Sequence, residues 1–216
     1  MSISIKQNLT TSILFFLFVV LLFSCKHYKI HGELVNKTSK KLVIPYFDEL
    51  NYEYHYTAKI NAFDNSFNGV LIVKKVGTSH KRVVLITDFG NTLFDFEYRN
   101  GERIAKYIVD DLNKKLILNK LLLYFEFLTR SEYFSRAEYQ MVGGKLFVSD
   151  LRFNRVTIMQ KEHLQHHQEL MSRCKHKAEL TFFSSNNYAD SISLISKELP
   201  INMFFKKRTK QINADQ

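Results

Sequence analysis

Glu53-Tyr54-His55-Tyr56-Thr57-Ala58-Lys59-Ile60 is the stretch on which the fold turns. Tyr54, Tyr56, Ala58 and Ile60 alternate with Glu53, His55, Thr57 and Lys59. Successive side chains of an extended chain point to opposite faces, so this segment is a strand with one apolar and one wet face. Working outward, Asp64-Asn65-Ser66 signals a turn. Val70-Leu71-Ile72-Val73 is apolar on both faces and mostly β-branched, the pattern of a more central strand. A turn at Gly77-Thr78-Ser79 leads into a strand over 81–89 containing Val83, Val84, Leu85 and Ile86. Gly90-Asn91 is the next turn. Over 92–98, Phe94, Phe96 and Tyr98 share one face, Asp95 and Glu97 the other. Asn100-Gly101 is a strong hairpin signal, followed by a short strand over 104–109.

The period then changes. Over 112–128, Leu116, Leu118, Leu121, Leu122, Phe125 and Leu128 crowd one helical face, and Lys114, Lys115 and Lys120 leave it. Strands resume at 137–142 and 145–151, joined at Gly143-Gly144, and again at 155–159. The polar stretch 161–175 reads as either a helix or a long loop. Strands over 178–183, 191–196 and 201–206 close the chain, the last two separated by Glu198-Leu199-Pro200. The expected fold is α+β and mainly antiparallel β. It is a strongly curved half-barrel of about nine to eleven strands with one major helix packed in its concave side.

Composition narrows the classes. The chain has 216 residues, with 7 Gly, 2 Pro, 2 Cys, 19 Phe and 11 Tyr. Gly and Pro are too few for a collagen-like or low-complexity chain, and two Cys cannot make a disulfide scaffold. At 45% hydrophobic and 24% charged, the chain is not disordered by composition. Its formal charge of +10 suits an anionic partner, either nucleic acid or a membrane surface.

The N-terminus decides between them. Lys6 is the only charged side chain among residues 1–24, and Ile13-Leu14-Phe15-Phe16-Leu17-Phe18-Val19-Val20-Leu21-Leu22-Phe23 is unbroken apolar sequence. As a helix it rises about 16 Å, half of a hydrocarbon core of about 30 Å. That length fits the apolar region of a secretory signal. Leu22-Phe23-Ser24-Cys25 resembles the bacterial lipobox, which implies cleavage before Cys25 and a diacylglycerol on its sulfur. The expected organisation is a lipoprotein signal at 1–24, a lipidated basic tether at 25–51, a folded domain at 52–207 and a basic polar tail at 208–216. Lys26, not Asp, follows Cys25, and no acid occurs until Glu33. By resemblance this implies an outer-membrane anchor facing the periplasm. An exported protein meets little nucleic acid, so the charge is read as life beside anionic lipid, with no nucleic-acid partner. Cys174 is then left without a thiol partner.

Three motifs carry chemistry on paper. Leu85-Ile86-Thr87-Asp88-Phe89-Gly90-Asn91-Thr92-Leu93-Phe94-Asp95 looks like the nucleophile motif of haloacid-dehalogenase-type phosphatases, with Asp88 as nucleophile. The general acid expected two residues on is replaced by Gly90, and the chain lacks the strand–helix alternation of a parallel sheet. Its Asp-Phe-Gly has no other kinase element beside it. His163, His166, His167 and His176, with Glu162 and Glu169, form a histidine-rich stretch. On a helix His163 and His167 would share a face able to hold a divalent metal, yet no zincin pattern is present. The role of this stretch stays open. Lys206-Lys207-Arg208-Thr209-Lys210 is a basic tail. The expectation is a non-enzyme with no catalytic residue, no cofactor and no resident metal.

Taken together, the lipobox, the strand 54–60, Phe67-Asn68-Gly69-Val70-Leu71-Ile72-Val73-Lys74, the run 82–98, the Lys-rich helix through Leu128 and the strands 178–183 and 191–206 resemble LolB-like lipoproteins. These belong with the periplasmic lipoprotein carriers and receptors of the LolA/LolB kind. The resemblance spans roughly 52–207. It implies a half-barrel with helices as a lid over an apolar cavity for a lipid or lipoprotein acyl chain. Inward faces would carry Tyr54, Tyr56, Ile72, Val84, Ile86, Phe94, Phe96, Leu121, Leu122 and Phe125. The same residues equally suit a filled core, and the protein would then be a structural or interaction lipoprotein. A third reading is an envelope phosphatase using Asp88.

Overall fold

The computed structural model describes residues 30, 32–37, 39–151, 153–161, 166–172, 175–185 and 188–208. The apolar run, Cys25, Lys26, His163, Cys174 and the tail beyond Arg208 lie outside the described residues. The chain divides into two units, Met1–His31 and Gly32–Gln216, and the architecture below is that of the second.

Its elements, in order, are β1 (Glu33–Asn36), β2 (Lys40–Val43), β3 (Glu53–Ala62), β4 (Asn65–Gly77), β5 (His80–Thr87), β6 (Thr92–Arg99) and β7 (Glu102–Ile108). A 3₁₀ turn (Asp110–Leu112) and α1 (Lys115–Thr129) follow. The chain then continues through β8 (Glu132–Met141), β9 (Gly144–Leu151), β10 (Asn154–Lys161), β11 (His166–Ser172), β12 (Lys175–Phe183), β13 (Ser191–Ser196) and β14 (Ile201–Lys207). The strands form one sheet in the order β1-β8-β9-β10-β11-β12-β13-β14-β3-β4-β5-β6-β7, with β2 also on β8. The strand-to-strand pairings are antiparallel, and the sheet is open. Two meanders, β3–β7 and β8–β14, meet where β14 pairs with β3, with Ile201 opposite Ala62. The link between them, from edge strand β7 to β8 at the far side of the sheet, is α1.

The fold is therefore mainly antiparallel β with one α-helix, as expected, but fourteen strands are present among the described residues instead of nine to eleven. The extra three lie where the pattern is weak. β1 and β2 fall in the stretch expected to be a tether, and β11 in the polar stretch 161–175. Neither β1 nor β2 exceeds four residues, and β1 is exposed along its length, so neither carries an alternation to read. The folded body thus begins before residue 52. Ile44, Tyr46 and Phe47 are each 1% exposed. Tyr46 stacks on Phe182 with ring centroids 4.6 Å apart, and Phe47 packs edge-on to Tyr54 at 5.2 Å.

Strand β3 buries Tyr54, Tyr56, Ala58 and Ile60, and pairing carries that face to its neighbours. Tyr54 opposes Val73 and Tyr56 opposes Leu71. Leu71 and Val73 of β4 and Val83 and Leu85 of β5 are accordingly buried. This corrects part of the interior expected from sequence. Ile72, Val84 and Ile86 are on the opposite face, where Ile72 pairs with Val84 and Val70 with Ile86. Runs that are apolar on both faces contain no phase, and a one-residue slip exchanges the faces. The phase is set by pairing with β3.

The Asn100-Gly101 hairpin forms with both residues at positive φ, 50° and 81°, as a type I′ turn requires. Helix α1 has an exposed beginning and a buried end. Leu116 is 62% exposed, whereas every residue from Leu121 to Thr129 is buried. Burial on all sides suits the apolar run Leu121-Leu122-Leu123-Tyr124-Phe125, while buried Glu126 is paired with Arg103 and the Thr129 hydroxyl donates to the Phe125 carbonyl. Phe125 packs against Phe94, Phe96 and Phe205. Among the described residues no helix is long and apolar enough to cross a membrane.

Candidate functional site

Two pockets flank α1, one at each end. The first lies beneath its beginning and is lined only by apolar side chains, among them Ile60, Phe67, Leu93, Ile117, Leu121 and Met203. Phe63, 47% exposed, stands at its rim. Its volume is about 30 Å³, the share of one liquid water molecule. Of the residues expected to line an interior cavity, Phe94 and Leu121 border this pocket. Tyr54, Tyr56, Phe96, Leu122 and Phe125 are part of the packed core. Ile72, Val84 and Ile86 belong to the opposite face.

The beginning of α1 is weakly capped, although Lys120 pairs with Glu198 and Ile117 and Leu118 pack against the core. Its N-cap is Lys114, which makes no side-chain capping bond, and its first turn contains no acid. Lys114 and Lys115 there sit at the positive end of the helix dipole, where cations are unfavourable. The middle and the far end are bound on several sides. The Tyr98 hydroxyl donates to the Leu122 carbonyl at 3.0 Å, and Tyr124 shares a hydrogen bond with Ser196 at 2.8 Å. Arg103 Nε donates to Glu126 Oε2 at 2.5 Å.

The second pocket, about 290 Å³, lies at the far end and is lined mostly by polar and charged residues. Lys81 Nζ donates to the carbonyl of Thr129, the last helical residue, at 2.5 Å and to Ser131 Oγ at 3.0 Å. Ser131 Oγ donates in turn to Asp48 Oδ1 at 2.8 Å, and Lys75 Nζ donates to the same oxygen at 2.7 Å. Burial pushes the Lys81 amine down to about 8, opposed by the nearby Asp48 carboxylate. Burial raises Asp48, but the hydrogen bonds from Lys75 and Ser131 outweigh it and hold the carboxyl below its ordinary value. A lysine with a lowered pKa has the character of a nucleophile. Here, however, the amine is engaged by two acceptors and closes the helix C-terminus, where carbonyls lack intrahelical partners. Its geometry is that of an anchor. Lys81, Ser131 and Asp48 are far apart in sequence, and nothing in the sequence marks them.

The phosphatase-like residues are dispersed. Asp88 is in an exposed turn between β5 and β6, its N–H donating to the Asn68 carbonyl at 3.3 Å. Phe89 beside it is 93% exposed. Asp95 is held by Arg82, with Nε on Oδ1 at 2.9 Å. Asp110 and Asp111 belong to the 3₁₀ turn. The histidines also separate. His166 faces the core, 3% exposed, with Nδ1 3.0 Å from the Tyr46 hydroxyl, and burial lowers its pKa. His167 and His176 lie instead beside Glu169, with Nε2 of each 3.8 Å from one of its carboxylate oxygens. Both lie on strands; His163, expected to share a helical face with His167, is outside the described residues.

No family model matches this chain, and no curated protein matches it.

Proposed function

We propose that this protein is a lipid-anchored envelope protein that takes up a single acyl chain under the beginning of α1. In this reading the sheet wraps α1 as a half-barrel, Cys25 bears the diacylglycerol, and the anchor is in the outer membrane facing the periplasm. The observation that carries the reading is the wholly apolar pocket under the uncapped end of the helix. An acyl chain entering there would displace that end while Lys81, Tyr98, Arg103 and Tyr124 keep the other end in place. Each methylene removed from water contributes about 0.8 kcal/mol, so a chain of ordinary length can offset a few lost helix contacts. The half-barrel is supported by α1 touching strands distant in the sheet order, from Tyr98 on β6 to Ser196 on β13.

A second reading is an interaction protein with a filled interior, favoured by the small volume of the pocket, about 30 Å³. The two readings part on binding of a fluorescent fatty acid, cis-parinaric acid, to the purified protein. The carrier reading expects saturable binding, weakened about tenfold or more by Ile117→Asp, which sets a charge at the half-buried pocket edge. Absence of saturable binding, or binding that Ile117→Asp leaves unchanged, would leave the filled-core reading standing.

A further inference from the structure

The face of β11 and β12 away from the core carries an arrangement that neither pocket explains. In the β11–β12 register Glu169 stands directly opposite Glu179. Like charges in that position destabilise a sheet unless a cation lies between or beside them. Both carboxylates are partly shielded, at 20% and 28% side-chain exposure, and Glu179 is paired with Lys197. The register contains an irregularity here: Leu170 pairs with Ala178, but Met171 pairs with His176, so Lys177 is the extra residue. Simple alternation would put His176 on the buried side with Ala178. The bulge re-aims it, and its Nε2 reaches within 3.8 Å of Glu169 Oε2.

One ligand atom each from Glu169, His176 and Glu179 fall within 4.8 Å of one another. Metal–ligand bonds of about 2.0–2.2 Å hold neighbouring ligands roughly 3.4 Å apart, so a closing movement of up to about 1.4 Å is needed. Supporting contacts are present. The Thr157 hydroxyl donates to Glu169 Oε2 at 3.1 Å. His167 Nδ1 is 2.8 Å from Thr181 Oγ1, and with that nitrogen donating, Nε2 presents its lone pair 3.8 Å from Glu169 Oε1. Such second-layer bonds fix the orientation of metal-binding side chains.

We propose that Glu169, His176 and Glu179 bind a divalent first-row transition metal of the zinc type through one nitrogen and two carboxylates, with water completing the coordination. Imidazole disfavours calcium and magnesium, which take oxygen ligands, and the mixed set suits zinc. Lys197 Nζ, 3.0 Å from Glu179 Oε2, competes with the ion for that carboxylate.

The test is isothermal titration of the purified protein with Zn²⁺, alongside Co²⁺ as a visible reporter. The expected result is one ion per chain, with d–d absorption from Co²⁺ lost in His176→Ala and affinity about tenfold or more lower in His176→Ala and Glu179→Gln. Wild-type binding no tighter than in a folded Glu169→Gln/Glu179→Gln chain, or affinity unaltered in a folded His176→Ala chain, overturns the site. Should His176→Ala fail to fold, Lys197→Met decides. Tighter binding than wild type supports the site, and equal or weaker binding overturns it.

Discussion

Phe47 shows how much a single residue outside any strand contributes to this core. It adopts φ of 59°, a left-handed conformation that costs a bulky side chain about 1–2 kcal/mol, yet it is 1% exposed. Its ring contacts Tyr54 and Tyr56, so burial offsets the strain. Phe47→Ala removes the burial and keeps the strain. It is expected to cost about 3–5 kcal/mol, read as a lower urea midpoint with an unchanged slope. Nothing in Ile44-Pro45-Tyr46-Phe47 signals this, because the segment has neither period. His166 and His176 make the same point with polar residues. Both stand in one histidine-rich stretch, yet one is a core hydrogen-bond partner of Tyr46 and the other is turned outward by a bulge. A bulge is one extra residue in a pairing, and pairing is invisible from one strand's sequence.

At the scale of the element, α1 was legible in its existence and its approximate limits, since six apolar residues at helical spacing with lysines between them admit little else. Its two halves were not distinguishable. Leu116, read as part of the buried stripe, is exposed, and the buried stripe widens to the whole circumference from Leu121 onward. The helix is expected to open from its beginning. Hydrogen exchange should be about tenfold faster at residues 119–121 than at 125–129. Lys114→Asp, which supplies a capping oxygen and a favourable charge, should stabilise that end by about 1 kcal/mol and narrow the difference. Equal protection along the helix would show that the missing cap does not loosen that end, on which the acyl-binding reading depends. Strand β11 was missed for a related reason. His167 and Glu169, its outward residues, and Gln168, its 0% exposed inward one, are all polar, so no alternation of polarity exists to be read.

For the whole molecule, Lys81 ties the helix end, β5 and the segment containing Asp48 into one network, and its titration is felt in global stability. Burial lowers the folded-state pKa to about 8, against an ordinary lysine value of about 10.4 in the unfolded chain. Between these values the unfolded chain binds the proton and the folded one does not, so this group's contribution to stability rises with pH from 8 to about 10. The contribution is lost as pH falls through 8. The difference in unfolding free energy between wild type and Lys81→Met should shift in favour of wild type over that range. A difference that is flat from pH 8 to 10 would show that the amine is not shielded as described.

The sequence by itself determined the class and most of the order. Alternation in 53–60, the hairpin residues Asn100 and Gly101, and one helical stretch sufficed for a mainly antiparallel sheet with a single helix, because these are local preferences of adjacent residues. Tertiary structure decided the rest. It determined which face of Val70–Val73 and Val83–Ile86 turns inward, that the supposed tether enters the core through Tyr46 and Phe47, and that Lys81 closes a helix 48 residues away. It also brought Glu169, His176 and Glu179 to one place. Each of these depends on the register between strands or on contacts between distant segments. Register is fixed by pairing partners and not by the strand's own side chains.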